Sequence, residues 1–338
     1  MESVRVVGRA LRLGGSNWRM VGQDGGQSIA LDRGSLFVFA DTLIAPGDAP
    51  EMEIGPLLRQ RRGIFLGNAA GIAPGGVGLR EAMGRIEYVS DGQGIPRELL
   101  QTTPLERLAG YRLWPQHGIA MDGRVFLFYI AVLQVGDGGL WGFASQGTGL
   151  AVVDPAVGGC ERLRWADEWR MWPALPATVH AGVQVLKAEE WIYVYASREE
   201  GLEFRAFVAR VRPGEIEQPG GYEFYCGERG WSRNLLEGES LGPCGREFSV
   251  SWNEYLGGYL MTYLDAYTGA LLMRAGEQPW GPFSEPVSLG MVPRDPRTEL
   301  VSLGFEHPQY AGNGGGELFV SYSEPRFLQN TLLAVRLG

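Results

Sequence analysis

Two aspartates near the N-terminal end of the chain, Asp24 and Asp41, lie where one β-hairpin would bring their carboxyl groups together. Residues 27–31 predict a strand, Asp32-Arg33-Gly34 a tight turn, and residues 36–40 a returning strand rich in Phe and Val. Folding about this turn places Asp24 opposite Asp41 at the open end of the hairpin. Two adjacent carboxyl groups repel each other when both are ionised, so one should hold its proton to a higher pH. Such a pair suits general acid–base chemistry; the alternative is two solvated aspartates beside turns.

The same hairpin pattern, a strand followed by a tight turn and an aromatic-rich strand, recurs along the chain. The five predicted hairpins span residues 24–41, 114–131, 179–197, 246–265 and 305–323. The last four recur about every 60 residues, and a longer gap after the first indicates an insertion there. Four strands per repeat with almost no helical periodicity predict an all-β fold, a five-bladed β-propeller with four-stranded antiparallel blades around a central channel.

The predicted propeller is one domain that covers residues 1–338. Residues 4–13 have no partner in their own repeat, so we expect this N-terminal strand to pair with residues 332–337. That pairing would close the ring and cover the exposed strand edges. A pair of β-sandwiches is the alternative architecture, but it does not explain the repeat length.

The channel face of such a ring collects the chain's polar residues. The first strand of each blade lines the channel, so the start of that strand and the end of the second strand share one face. All three histidines of the chain are predicted at this face, each in a different blade. A single histidine there most often fills space and bonds to backbone, but the set favours a functional pocket. The residues predicted to bind substrate are Gln27, Trp114, His117, His180, Arg246 and Glu306.

This combination of side chains is typical of a carbohydrate site. Paired carboxyl groups supply the acid and the nucleophile or base for cleavage of a glycosidic bond. Aromatic faces stack on the apolar side of sugar rings, and Trp114 is the best candidate for this role. The sequence contains no H-E-x-x-H, phosphate-binding loop, G-x-S-x-G or C-x-x-C motif, which disfavours the competing chemistries.

Composition and charge restrict the partners further. The 51 glycines among 338 residues, together with 45% hydrophobic residues, indicate many turns around a real core. The net charge of −9 argues against nucleic acid and anionic membranes as partners. No apolar leader is visible, so the expected location is the cytoplasm, or outside the cell if a leader was removed. Cys160, Cys226 and Cys244 lack metal-site spacing and suggest a reducing compartment, although a Cys226–Cys244 bridge stays open.

Several segments resemble one protein family. The sequence Gly22-Gln-Asp-Gly-Gly-Gln-Ser28, followed by Phe39-Ala-Asp-Thr42, resembles the signature G-x-D-G-x-x-S … F-G-D-T, with Ala40 in place of Gly. Segments that resemble the family's fourth and fifth blades are residues 247–256, 280–284 and 306–323. The chain is therefore similar to the five-bladed propeller glycoside hydrolases. Within them it most resembles a bacterial family long described as a domain of unknown function, some members of which are endo-D-arabinanases.

The resemblance implies that two aspartates carry out the glycosidic chemistry, and motif position assigns these to Asp24 and Asp41. One would attack the anomeric carbon or activate water, and the other would protonate the leaving oxygen. Glu247 is the substitute acid if the two aspartates are too close to straddle a sugar. No cofactor is required; in related propeller hydrolases a channel histidine helps to hold an ion such as Ca²⁺, and His307 is the candidate here.

Two other functions remain open. A lectin-like propeller would keep Trp114 and the polar ring but tolerate loss of either aspartate. A glycoside phosphorylase would need a cationic phosphate site, for which Arg246 is the candidate. The discriminating observation is the direction of the side chains. Convergence of Asp24 and Asp41 on an open pocket favours hydrolysis, whereas packing or pairing with an Arg favours binding.

Overall fold

The computed structural model describes residues 4–9, 18–47, 62–135, 142–172, 179–201, 203–324 and 328–338. Within these ranges the strands form five separate antiparallel sheets. The helices of the described residues are two short α-helices and a few single 3₁₀ turns. The predicted all-β class is confirmed.

The N-terminal strand and the first two blades take up the first half of the chain. The N-terminal strand is β1 (Val4–Arg9). The first blade consists of β2 (Trp18–Ala30), β3 (Ser35–Pro46), β4 (Ile64–Leu66), β5 (Ala69–Ala73) and β6 (Glu87–Tyr88). The helices α1 (Leu79–Gly84) and α2 (Pro104–Leu108) lie before and after β6. The second blade consists of β7 (Tyr111–Met121), β8 (Arg124–Gln134), β9 (Phe143–Asp154) and β10 (Gly159–Arg162).

The remaining blades follow in the same order. The third consists of β11 (Val179–Ala188), β12 (Trp191–Glu200), β13 (Glu203–Val211), β14 (Glu223–Tyr225), β15 (Trp231–Ser232) and β16 (Pro243–Cys244). The fourth consists of β17 (Phe248–Asn253), β18 (Gly258–Leu264), β19 (Ala270–Gly276) and β20 (Val287–Met291). The fifth consists of β21 (Ser302–Glu306), β22 (Glu317–Glu324) and β23 (Gln329–Arg336). The 3₁₀ helices are Pro213–Glu215, Pro219–Gly221, Gly227–Arg229, Leu235–Glu237, Pro308–Tyr310 and Asn313–Gly315.

The first strand of each blade lies at the centre of a closed ring. Strand β2 contacts β7, β7 contacts β11, β11 contacts β17, β17 contacts β21, and β21 contacts β2. This circuit encloses the channel and confirms the five-bladed propeller. Each blade is antiparallel as predicted, and the first and third blades carry extra short strands beyond the predicted four.

The fifth blade contains both ends of the described chain. Strand β1 pairs antiparallel with β23, from Val4 opposite Val335 to Arg9 opposite Thr331. This is the pairing that the sequence predicts for closure of the ring. With β1 added, the last blade has four strands. Residues 10–13, the end of the predicted N-terminal strand, lie outside the described residues.

Apolar side chains fill the wedges between neighbouring blades. Between the first and second blades, for example, Val38, Leu127 and Tyr129 are fully or almost fully buried in one cluster. Burial of a large apolar side chain stabilises the fold by about 1.5–3 kcal/mol. Similar clusters join the other blades around the ring, so the inner strands are held in fixed positions around the channel.

The fifth hairpin begins earlier in the chain than its aromatic pattern predicts. Strand β21 starts at Ser302, opposite Ser323, rather than at residue 305. Gly304 has a φ of +99°. The pairing of β21 with β22 shifts register at this residue, between Leu303 and Phe305. Glu306 is therefore the last residue of β21 and His307 follows it, whereas the channel face was predicted at the strand start.

The described structure also shows the state of the cysteines and the length of the helices. Cys160, Cys226 and Cys244 are all free thiols, so no bridge joins Cys226 to Cys244. Nowhere in the described ranges is a helix long and apolar enough to cross a lipid bilayer.

Candidate functional site

A β-bulge in the first hairpin brings Asp24 and Asp41 together. Asp24 lies opposite two residues of β3, Ala40 and Asp41, between the pairs Gln23–Thr42 and Gly25–Phe39. Gly25, with a φ of +94°, supplies the backbone conformation that this irregularity requires. A bulge redirects side chains and increases the local twist. The ladder continues beyond the bulge as far as Trp18 and Pro46. The two aspartates therefore lie within the hairpin, whereas the sequence had predicted them at its open end.

Two donors from the second blade hold the carboxylate of Asp41. Arg112 Nη1 donates to Oδ2 at 2.7 Å, and Trp114 Nε1 donates to Oδ1 at 3.0 Å. The Arg112 guanidinium lies 4.9 Å from the centre of the Phe65 ring and 5.0 Å from that of Phe143. Burial raises the pKa of Asp41 to about 6, although Arg112 and Trp114 favour the ionised form. Each oxygen of this carboxylate thus has its own donor from the protein.

Asp24 has weaker partners than Asp41 and no arginine partner among the described residues. Its Oδ1 accepts a hydrogen bond from the backbone N–H of Gly25 at 3.0 Å. Burial raises the pKa of Asp24, and the nearby Ser323 hydroxyl opposes the rise without forming a full hydrogen bond. The side chain is enclosed on most sides but keeps some contact with water. Asp24 is therefore the freer of the two aspartates.

Glu247 joins the aspartates from the fourth blade. It lies just before β17, next to Arg246. Burial raises the pKa of Glu247 to about 7; Arg246 opposes the rise and the charge of Asp24 adds to it. The charge of Asp24 also raises the pKa of Asp41. The three carboxyl groups therefore form one electrostatic cluster, in which Asp24 interacts with both of the others.

A cavity of about 300 Å³ opens at this face of the ring. Its lining includes four residues predicted from the sequence, namely Trp114, His180, Arg246 and Glu247. Aromatic rings form other parts of its wall: Phe143, Phe204 and Tyr267. The volume is at the lower end of the range for small-molecule sites. The predicted pocket at the channel face is therefore present, with the carboxyl group of Glu247 beside aromatic rings. Asp24 and Asp41 do not belong to its described lining.

His180 and Arg246 supply the other polar groups of this cavity. Burial and the neighbouring charge of Arg246 lower the pKa of His180 to about 3, so the ring is neutral at physiological pH. The buried Nδ1 of His180 makes no hydrogen bond with any described residue. Among the described residues of the lining, Arg246 carries the only positive charge. Its guanidinium lies 5.4 Å from the centre of the Phe204 ring.

Gln27 and His117 lie in the channel but outside the cavity lining. Gln27 Nε2 donates to the carbonyl of Val183 at 2.8 Å. The backbone N–H of Val185 donates to His117 Nδ1 at 3.2 Å. Burial lowers the pKa of His117 to about 4, so this ring is also neutral. The first contact joins β2 to β11, and the second joins β7 to β11. Gln27 and His117 therefore connect inner strands of different blades and help to hold the ring together.

His307 is buried, and both of its ring nitrogens have partners. Nδ1 lies 2.7 Å from Ser28 Oγ, and Nε2 lies 3.0 Å from Ser321 Oγ. The ring centre is 5.8 Å from that of Phe37. Within the part of the chain that the structure describes, no three His, Cys, Asp or Glu residues are placed to hold a metal. The predicted ion site at His307 therefore does not fit these residues, because no ring nitrogen is left to bind the ion.

Glu306 is buried between the inner strands of the fourth and fifth blades. Its carboxylate accepts a hydrogen bond from Ser251 Oγ at 3.0 Å, and its N–H donates to Ser249 Oγ at 3.0 Å. Burial raises the pKa of Glu306 to about 7. It does not line the cavity. Its predicted role in substrate binding has no contact in the structure to support it.

Glu306→Gln is expected to increase the free energy of unfolding at pH 8 by about 3 kcal/mol. The pKa of Glu306 is about 7 in the folded protein against an ordinary value of 4.5, so ionisation above pH 7 opposes folding. The amide removes this cost and keeps an acceptor for Ser251. The gain should shrink to below about 1 kcal/mol as the pH falls to 5, where the folded carboxyl is protonated. Urea unfolding at both pH values measures it. Glu87→Gln, at an exposed position, is the control, and an equal gain at both pH values would contradict this account.

Sequence reasoning missed Arg112 and the phenylalanines of the cavity wall. Arg112 precedes Trp114 by two residues on β7, and side chains two apart in a strand share a face. That spacing was an available signal. Phe143 and Phe204 lie at the starts of the third strands of their blades, and the hairpin repeat alone gave no signal for them.

Arg112→Met is expected to lower the free energy of unfolding by about 1–3 kcal/mol at pH 8. The substitution leaves the buried Asp41 carboxylate with Trp114 alone, so the pKa of Asp41 should rise further. The double variant Arg112→Met/Asp41→Asn should recover part of the loss, because the buried charge is then also removed. Chemical denaturation of the four proteins gives the coupling energy. Additive losses would show that the pair does not stabilise the fold.

Comparisons with known proteins agree with this architecture. A protein from Bacteroides ovatus ATCC 8483, provisionally described as a hydrolase, has 16% identity and a TM-score of 0.66 over 93% of this chain and 85% of its own. The catalytic domain of a Coprinopsis cinerea GH62 α-L-arabinofuranosidase has 8% identity and a TM-score of 0.52 over 99% and 96%. A GH43_1 enzyme from Xanthomonas citri, complexed with xylose, has 13% identity and a TM-score of 0.50 over 94% and 88%.

At such low identities these structural likenesses concern the fold alone. No curated protein matches the sequence significantly. A family model does match, and it covers residues 15–324. The match spans the first strand of the first blade to the second strand of the fifth. The chain therefore belongs to the family described as Domain of unknown function (DUF4185).

Proposed function

We propose that the protein is a glycoside hydrolase that cleaves a furanoside-containing or other oligo- or polysaccharide in the cavity at the channel face. The observation that carries the proposal is the cluster of Asp24, Asp41 and Glu247 beside an aromatic-walled cavity. Burial raises the pKa of all three carboxyl groups, that of Asp41 to about 6 and that of Glu247 to about 7, so the cluster can hold both a protonated and an ionised group near neutral pH. Glycoside cleavage needs one carboxyl group in each form. The fold shared with a GH62 arabinofuranosidase and a xylose-complexed GH43_1 enzyme supports the same reaction class.

The geometry favours Glu247 as the proton donor. Both oxygens of Asp41 already accept hydrogen bonds, from Arg112 and Trp114, and these bonds favour the carboxylate over the acid. Glu247 lines the cavity and has a pKa raised to about 7, which keeps a proton available near neutrality. Its proton passes to the leaving oxygen as the bond from that oxygen to the anomeric carbon breaks.

Asp24 is then the nucleophile or the base. Among the described residues it has no arginine partner, and it keeps contact with water and interacts with both other carboxyl groups. Its carboxylate either attacks the anomeric carbon or takes a proton from the attacking water. Asp41 remains ionised beside it and stabilises the positive charge that develops on the sugar ring.

The remaining side chains of the cavity suit a sugar. Neutral His180 can donate to or accept from a hydroxyl, and Arg246 offers donors to ring or hydroxyl oxygens. The faces of Phe143, Phe204 and Trp114 provide apolar surface for stacking. The indole N–H of Trp114 is already bonded to Asp41, so this residue would contact a sugar through its ring.

A lectin-like binding function is the second candidate. The observation that favours it is the pairing of Asp41 with Arg112, which fixes a carboxylate that a hydrolase could otherwise use. Phosphorolysis has less support, because the single cation of the described lining, Arg246, lies beside the carboxyl group of Glu247.

Measurement of reducing-sugar release from arabinans, fructans, xylans and mannans, with and without phosphate, tests the proposal. We expect release from one of these polymers without phosphate. The double variant Asp24→Asn/Glu247→Gln controls for contaminating hydrolases and should release nothing. Binding of a polymer without release would replace hydrolysis by the lectin-like function. Formation of a sugar 1-phosphate in the presence of phosphate, without new reducing ends, would identify a phosphorylase.

A further inference from the structure

A second cavity, of about 380 Å³, lies beside strand β10 of the second blade. Its wall combines the segment before β7, which contributes Arg97 and Gln101, with β10 and the residues after it. None of its described lining residues belongs to the cavity at the channel face. It is therefore a separate site on the molecule.

The charge of this cavity is opposite to that of the chain as a whole. The protein has a net charge of −9, yet the described lining contains Arg97, Arg162 and Arg164 and no Asp or Glu. Arginines placed together on one concave surface attract anions, since each guanidinium offers several fixed donors.

Arg162 is the fixed part of the wall. Its Nη1 and Nη2 donate to the two carboxylate oxygens of Glu106 at 2.7 and 2.8 Å. Its Nε donates to Tyr129 Oη at 3.0 Å. This arginine is balanced by Glu106 and rigidly placed, so it shapes the cavity but adds little net charge.

The uncompensated charge comes from Arg97 and Arg164. Arg97 donates to the backbone carbonyls of Glu98 and Gly158, both at 3.2 Å. Arg164 donates to the carbonyl of Asp167 at 2.5 Å. Neither forms an ion pair with a described carboxylate. Both keep donors for a ligand, because an Arg side chain carries five N–H groups.

The thiol of Cys160 is affected by the charge of the cavity's arginines. It lines the same cavity. Burial raises the pKa of Cys160 to about 12, and Arg162 and Arg97 both oppose that rise. The exposed Glu161 acts in the other direction but does not line the cavity. Negative charge placed here would therefore be stabilised mainly by Arg97, because Arg162 is already paired with Glu106.

Trp169 gives the same cavity a rigid apolar wall. Its ring stacks on Tyr129 with centres 6.0 Å apart and an interplanar angle of 22°. The Arg170 guanidinium lies 4.9 Å from its centre. A flat aromatic surface beside two guanidinium groups that have no described carboxylate partner suits a compact molecule with an apolar ring face and one anionic group.

We propose that this cavity binds a small organic anion, namely a ring compound that carries a carboxylate or phosphate group. The anionic group lies between Arg97 and Arg164, and the ring lies against Trp169. This site acts independently of the carboxyl cluster at the channel face, so it does not depend on the proposed hydrolysis.

Isothermal titration calorimetry with glucose 6-phosphate, glucuronate and glucose as probes tests the proposal. We expect at least one of the two anions to bind and glucose not to bind. Arg164→Gln and Arg97→Gln should each weaken binding about tenfold, the loss of one charged contact. Arg164 is exposed, so its variant should fold normally. Arg80→Gln, an exposed position on α1, removes the same charge elsewhere and should leave affinity unchanged.

A preference for glucose 6-phosphate or for glucuronate identifies the anionic group, and either supports the site. Unchanged affinity in Asp24→Asn would show that the channel face is not the place of binding. The proposal is overturned if neither anion binds, if glucose binds equally well, or if Arg80→Gln weakens binding as much as Arg164→Gln.

Discussion

Asp24→Asn is expected to reduce kcat for glycoside cleavage by on the order of 10³-fold or more, with little change in KM. The amide has nearly the same shape as the carboxylate but can neither attack the anomeric carbon nor take a proton from water. The loss should be of similar size for substrates with good and poor leaving groups, because the step removed is not protonation. Initial rates with the polymer found in the release assay and with an aryl glycoside of the same sugar measure both effects.

The matched control for this variant lies on the same hairpin. Asp32→Asn makes the same chemical change in the exposed turn between β2 and β3, far along the strands from the bulge. It should keep full activity. If Asp24→Asn also kept full activity, Asp24 would have no part in the chemistry, and Glu247 with Asp41 would be the remaining pair.

Glu247→Gln is expected to slow cleavage of natural substrates by about 10²- to 10⁴-fold, the usual contribution of a general acid. Aryl glycosides with good leaving groups should lose far less, because their leaving oxygen needs no proton. This dependence on the leaving group separates an acid from a residue that merely supports the fold. Glu254→Gln, in the exposed turn between β17 and β18, is the control and should behave like the wild type.

The pH profile gives a second test of the same assignment. Burial raises the pKa of Glu247 to about 7, and only its protonated form can act as the acid. The value of kcat/KM for the wild type should therefore fall as the pH rises above about 7, and Glu247→Gln should lack this alkaline limb. On the acid side, kcat/KM should fall as Asp24 and Asp41 become protonated. If Asp41→Asn, rather than Glu247→Gln, abolished the alkaline limb and showed the leaving-group effect, the acid would be Asp41.

Much of the fold follows from local patterns in the sequence. The Phe- and Val-rich run at residues 36–40 and the turn at Asp32-Arg33-Gly34 predict the first hairpin, and the observed pairs Ile29–Leu36 and Ala30–Ser35 have the predicted register. Such patterns are readable because strand period and turn geometry depend on residues close together in the chain. Repetition of the pattern at a regular interval then leads to a propeller, which is the arrangement that buries every blade face.

Parts of the candidate site were also predictable. Trp114, His180, Arg246 and Glu247 line the cavity because they precede or begin inner strands, as the repeat indicated. His307 and Glu306 were misplaced because Gly304 hides the true start of β21. The same pattern therefore succeeded where the strand start is regular and failed where a bulge shifts it by a few residues.

The chemistry of the site depends on contacts between blades, which the sequence does not display. Asp41 belongs to the first blade, but Arg112 and Trp114 of the second hold its two oxygens. Glu247 of the fourth blade acquires its raised pKa from burial in the closed ring and from the charge of Asp24. The sequence by itself determined the five hairpins and the residue types at the channel face. Only the tertiary structure decided which carboxyl group is fixed and which can hold a proton, because burial and distant charges arise only when the ring closes.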